Sequence, residues 1–178
     1  MFNIYSFLLV FFFSIKVLSL EVTLTQGSIK PTPIAITDLF SKNTNFEKIG
    51  KNISNVISDN LERSGLFIPL DQKAFIQTNK SLSDKPRFED WKVIKAQHLV
   101  SGKISGSNGK ITVEFRLYDV FQQKQLVARK YETNEKNWRR VAHIISDSVF
   151  QNITGEGGYF DTRIVYVAET GPKENKQK

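Results

Sequence analysis

The spacing of apolar positions changes repeatedly along this chain, and each change predicts a new element. Residues 4–17 are nearly unbroken Leu, Phe, Val and Ile, a run with no polar face. Residues 21–25 (Glu21, Val22, Thr23, Leu24, Thr25) then alternate and break at Gly27, the period of two that a half-buried strand shows. Pro31 and Pro33 stiffen the passage to a second extended run at residues 34–37, so the first strand is separable from the body of the chain. Phe46, Ile49, Ile53, Val56, Ile57 and Leu61 share one helical face. Thr44 with Glu47 three residues on forms a capping-box pattern, and Gly65 stands where a left-handed stop belongs. The apolar residues 66–70 complete a strand, helix, strand unit.

Two short helical pieces, residues 71–76 and 89–95, flank a polar loop at 77–87 whose Asn79, Ser81, Ser83, Asp84 and Pro86 carry no period. After Gln97 the period of two returns. Residues 99–106, 111–119 and 125–132 read as three antiparallel strands, the first two joined across Ser107, Asn108, Gly109 and Lys110 by an Asn-Gly hairpin signal. Ile111, Val113, Phe115 and Leu117 fall on the core side, with Thr112, Glu114 and Arg116 facing out, which predicts a half-buried sheet with helices on one side. A last helix over residues 135–153 carries Trp138, Val141, Ala142, Ile145, Val149 and Ile153 on one stripe, with Lys136, Arg140, His143 and Asp147 opposite and Gly155 as its stop. The expected fold class is α/β, a mixed sheet of about five strands packed against two main helices. Residues 158–167 are again β-prone, with Ile164, Tyr166 and Ala168 alternating with Val165 and Val167. They read as the orphan first strand of another sheet, followed by a polar tail to Lys178.

Composition adds a compartment. The 178 residues include no cysteine and carry a formal charge of +7, with Lys16 the one charged residue in the first nineteen. The initial apolar run of about fourteen residues would reach roughly 21 Å as a helix, short of the ~30 Å hydrocarbon core. Val17, Leu18 and Ser19 supply a small-residue cleavage pattern, so residues 1–19 are expected to be a signal peptide. An exported chain without disulfides must rest on an ordinary packed core, here residues 20–156, with residues 157–178 as the truncated strand and tail. The basic excess is scattered rather than clustered, which leaves acidic partners open without specifying one.

Candidate chemistry is sparse. His143 and Asp147, four apart on a helix, have metal-ligand spacing but fall on the polar face with no evident third ligand, and read as a solvated ion pair. His98 opens a strand beside Leu99 and Val100 and reads as a core or edge histidine. Gly102 and Gly106 lie inside a strand, not at the strand-to-helix turn that a phosphate cradle needs. Glu89 and Asp90 sit at a helix start, where they complement the dipole rather than share a proton. Neither catalysis nor a cofactor, metal or small-molecule substrate is indicated. Lys136, Arg139 and Arg140 with Trp138 and Tyr131 nearby give a rival reading, a basic nucleic-acid-binding domain. Export argues against it.

The ordered run Asn137, Trp138, Arg139, Arg140, Val141, Ala142, His143 to Phe150, then Ile153, Thr154, Gly155, Gly158, Phe160, Thr162, Arg163, Ile164, Tyr166 and Val167, together with residues 59–67, Pro69 and Leu70, resembles the TolB family. That family is the periplasmic soluble component of the Tol-Pal system of Gram-negative envelopes. The resemblance implies an α/β amino-terminal domain similar to anticodon-binding domains, then a β-propeller that binds the lipoprotein Pal. Here the chain is expected to end at the propeller's first strand, so a Pal-like partner is implied only if a propeller were present. It further implies a non-catalytic role in outer-membrane integrity, cell division and protein import, and contact between the first mature residues and a TolA-like inner-membrane protein. The matching positions are Glu21, Val22, Thr23, Leu24 and Thr25, which can equally form an ordinary first strand. Whether the chain is a retained short protein or a fragment of a split gene stays open.

Overall fold

A computed structural model of the chain describes residues 30–78, 85–163 and 165. The expected signal peptide, the segment 21–25, most of the loop beyond Thr78, and Ile164 with everything from Tyr166 onward lie outside the described residues. Five strands, β1 (Thr32–Ile36), β2 (Phe67–Pro69), β3 (His98–Ser107), β4 (Lys110–Asp119) and β5 (Lys124–Asn134), form one sheet in the order β2-β1-β3-β4-β5. β1 runs parallel to both neighbours, with Ile34 opposite His98 and Pro69, while β3, β4 and β5 are antiparallel. The helices are α1 (Thr44–Arg63), α2 (Phe88–Val93) and α3 (Trp138–Thr154), with single 3-10 turns at Gln72–Ala74 and Glu135–Asn137. The sequence reading of a mixed sheet on two principal helices therefore holds.

β1 is central, yet it contains Pro33. Proline is tolerated because Pro33 O accepts from Gln97 N at 3.0 Å, one residue before β3 begins, so the missing Pro33 donor falls outside the ladder. Asn108 (φ 51°) and Gly109 (φ 74°) both lie in the left-handed region and close the β3–β4 hairpin in two residues, the twist that right-handed strands require.

The helix-side core is the one the periodicity selects. Ile53, Ile57 and Leu61 of α1, Val141, Ala142, Ile145 and Val149 of α3, and Ile111, Val113, Phe115 and Leu117 of β4 are all buried in one cluster. Gly50 lets α1 approach Leu39, whose carbonyl would lie 2.6 Å from an added Cβ, and Gly106 brings β3 under the Phe46 ring, 2.8 Å from such an atom. No larger residue fits at either crossing.

Three expectations need correction. The α1 cap is Asn43, not Thr44: Asn43 is extended (φ −107°, ψ 123°), and its side chain accepts from Asn45 N at 2.9 Å. Thr44 is already the first helical residue. The last helix begins at Trp138, because Glu135–Asn137 tighten into a 3-10 turn. Finally, the sheet is not bare on its second face. Trp91 and Phe88 of α2 bury against Ala35, Leu99, Tyr118 and Val120 in a separate small core. The Trp91 indole donates at 2.9 Å to Gln77 Oε1, which also accepts from Arg87 N at 3.0 Å, so the polar loop is pinned at both ends. Leu99 and Val100 are both fully buried, as strand residues must be where both faces are covered.

Candidate functional site

The sequence-predicted contact residues Glu21, Val22, Thr23, Leu24 and Thr25 lie outside the described residues. The described chain enters the body at Lys30 and joins the sheet at Thr32, whose N–H donates to Leu66 O at 2.9 Å.

His143 and Asp147 do not form the expected ion pair. Four residues apart they share a helical face, but each finds a different partner: His143 meets Asn60 of α1, and Asp147 meets the backbone after α3. Asn60, almost fully buried on α1, donates from Nδ2 to His143 Nδ1 at 2.9 Å and to Ser146 Oγ at 2.9 Å. Arg63 donates to Asn60 Oδ1 at 2.7 Å, and Ser146 Oγ donates to Ala142 O at 2.9 Å. Because the Arg63 guanidinium can only donate, it fixes the Asn60 amide with its oxygen toward Arg63 and its nitrogen toward His143 and Ser146. This network links α1 to α3 and satisfies buried Asn60 and Ser146.

Asp147 accepts two successive backbone donors, Phe160 N at 2.7 Å on Oδ1 and Asp161 N at 3.0 Å on Oδ2. Asp161 in turn meets Arg140 Nε at 3.2 Å. The described part of the final β-prone run, residues 158–163, is irregular and lies on α3 instead of pairing with a strand. Apolar periodicity does not reveal this clamp, although Gly157 and Gly158 ahead of an aromatic pair give a signal for a close backbone approach.

The basic cluster is largely engaged within the fold. Arg140 pairs with Asp161, and the Arg139 guanidinium lies 5.0 Å from the ring centre of its neighbour Trp138. Trp138 itself packs against the main core, which removes the stacking platform that single-stranded nucleic acid would use. Glu89 pairs with Lys92 and Asp90 with Arg87, each at 2.9 Å or closer, so the two carboxylates hold cations rather than a shared proton. Burial lowers the His98 pKa, partly opposed by the charge of Asp119. On β5 the Lys130–Glu132 hydrogen bond and charge pairing raise the ammonium and lower the carboxyl, but both groups are exposed to solvent. Among the described residues no group of three or more His, Cys, Asp or Glu converges as a metal site, and no helix is long and apolar enough to cross a membrane. A groove of about 250 Å³ between the start of α1 and β3, with Phe40, Phe46 and Ile104 in its lining, falls below the ~300–1,000 Å³ of usual ligand pockets.

The sequence model of the TolB amino-terminal domain matches residues 20–126. The chain belongs to the TolB family. A Tol-Pal system protein TolB of Paramagnetospirillum magneticum is 48% identical over 159 residues, spanning 89% of this chain and 36% of the relative. The TolB of Pelagibacter ubique is 48% identical over 184 aligned positions, 98% of this chain and 41% of its own length. The chain thus spans about two fifths of these curated relatives. The crystal structure of TolB from Acinetobacter baumannii superposes on 74% of this chain with a TM-score of 0.62 at 23% identity, using 30% of that structure, and it shares the fold. The family match ends within β5, whereas the helix pair and its polar seam continue to Thr154.

Proposed function

We propose that this TolB-family chain is a non-catalytic interaction module of the Tol-Pal system, exported to the periplasm, where it supports outer-membrane integrity and cell division through protein contacts. The observation that supports it most is the identity of 48% to two Tol-Pal system proteins TolB across nearly the whole chain. In this reading residues 1–19 direct export and are removed. Glu21, Val22, Thr23, Leu24 and Thr25 then lead the mature chain and contact a TolA-type inner-membrane protein. The physical basis is an alternating segment separated from β1 by Gly27 and Pro31. Such a strand adds to the open edge of another sheet, where main-chain hydrogen bonds supply affinity and alternate side chains supply specificity. Residues beyond about 157 open the propeller of longer relatives, and a Pal-type contact belongs to that propeller rather than to the α/β body.

Deleting residues 21–25 tests the segment. The deleted chain is expected to lose capture by the immobilised carboxy-terminal domain of a TolA-type partner while its far-ultraviolet circular dichroism stays that of the parent. Undiminished capture would remove these residues from the mechanism.

A further inference from the structure

We infer that residues 158–161 form a latch that fixes the direction in which the chain leaves the α/β body. Three different interactions hold this short segment to α3. Asp147 takes two successive amides, Phe160 N and Asp161 N, one on each carboxylate oxygen at 2.7 and 3.0 Å, a charge-assisted pair stronger than ordinary backbone bonding. The rings of Tyr159 and Phe160 meet Phe150 edge-on at 5.5 and 5.8 Å. Asp161 closes the far end against Arg140 at 3.2 Å.

Gly158 makes the seat possible, because a Cβ there would overlap the Asp147 side chain. The contacts are ordered: Tyr159 and Phe160 on Phe150, Phe160 and Asp161 on Asp147, then Asp161 on Arg140. The segment therefore runs antiparallel to α3 after the Gly155 stop (φ 80°). Over the seven residues from Asp147 to Thr154 a helix advances roughly 10 Å, so the segment is led back to about the middle of α3 instead of continuing from its end. A simple tether between two bodies would keep none of these contacts. The latch makes α3 a rigid joint for any polypeptide attached beyond it. It does not depend on any partner of residues 21–25.

Hydrogen exchange on the intact chain tests it from both sides. In the parent chain the Phe160 and Asp161 amides are expected to exchange at least about tenfold more slowly than in a free peptide. Asp147→Ala, which also raises helix propensity in α3, is expected to bring both amides to the peptide rate and to speed tryptic cleavage after Arg163, with Ile145 and Val149 still protected. Gly158→Ala should do the same from the segment's side without altering α3, and it decides the matter if Asp147→Ala disturbs the helix. Free-peptide exchange in the parent chain, or protection of both amides that survives Gly158→Ala, would overturn the latch.

Discussion

At the scale of single residues, the polar contacts across the α1–α3 seam centre on Asn60. Asn60 bonds His143 and Ser146 across the α1–α3 seam and accepts from Arg63 on its own helix. Asn60→Leu keeps similar volume but takes the partner from half-buried His143 and one of two partners from buried Ser146, and an unsatisfied buried group costs about 1–3 kcal/mol. The variant is expected to lower the urea midpoint with an unchanged m-value. His98 adds a pH dependence. Burial lowers its pKa from the ordinary 6.5, so the unfolded chain binds the proton more readily than the folded one. Its contribution is intact above the unfolded value and is lost as pH falls below about 6.5 towards the folded value. Replacing His98 by Gln should flatten the decline in stability between about pH 7 and pH 5. An unchanged profile would assign that decline to other groups.

Elements were legible to the extent that their apolar pattern outweighed local detail. The α1 stripe, the Asn-Gly hairpin and the Gly65 and Gly155 stops appear in the structure where the sequence puts them, because each rests on one dominant requirement: a buried face or a positive φ. The α1 cap lies one position before the residue the capping-box pattern selects, since Asn43 and Thr44 both have capping side chains and only the extended backbone of Asn43 distinguishes them. Asn43→Ala is accordingly expected to destabilise the domain by about 1 kcal/mol, read from thermal or urea unfolding, whereas an equal loss at Thr44→Ala alone would make Thr44 the cap. The second core was legible in principle. Ala35 between Ile34 and Ile36, and Leu99 beside Val100, are continuous apolar runs rather than alternations, the signature of strands covered on both faces. The separation of His143 from Asp147 was harder to foresee, because a polar helical face says nothing about which neighbour each residue will meet.

For the whole molecule, family membership and fold converge on an α/β body whose interior is closely packed. Its proposed work then falls to the segments that enter and leave it. The leading segment runs into central strand β1, and the trailing segment is seated on α3. In the proposed reading the leading residues dock on another sheet as a short added strand. The most direct measurement is a titration of the isotopically labelled mature chain with the carboxy-terminal domain of a TolA-type protein, followed by amide resonances. The account predicts saturable shifts concentrated at Glu21, Val22, Thr23, Leu24 and Thr25, with the resonances of β3, β4 and α3 unmoved. Shifts confined to the α/β body, or no shifts at all at saturating partner, would contradict it.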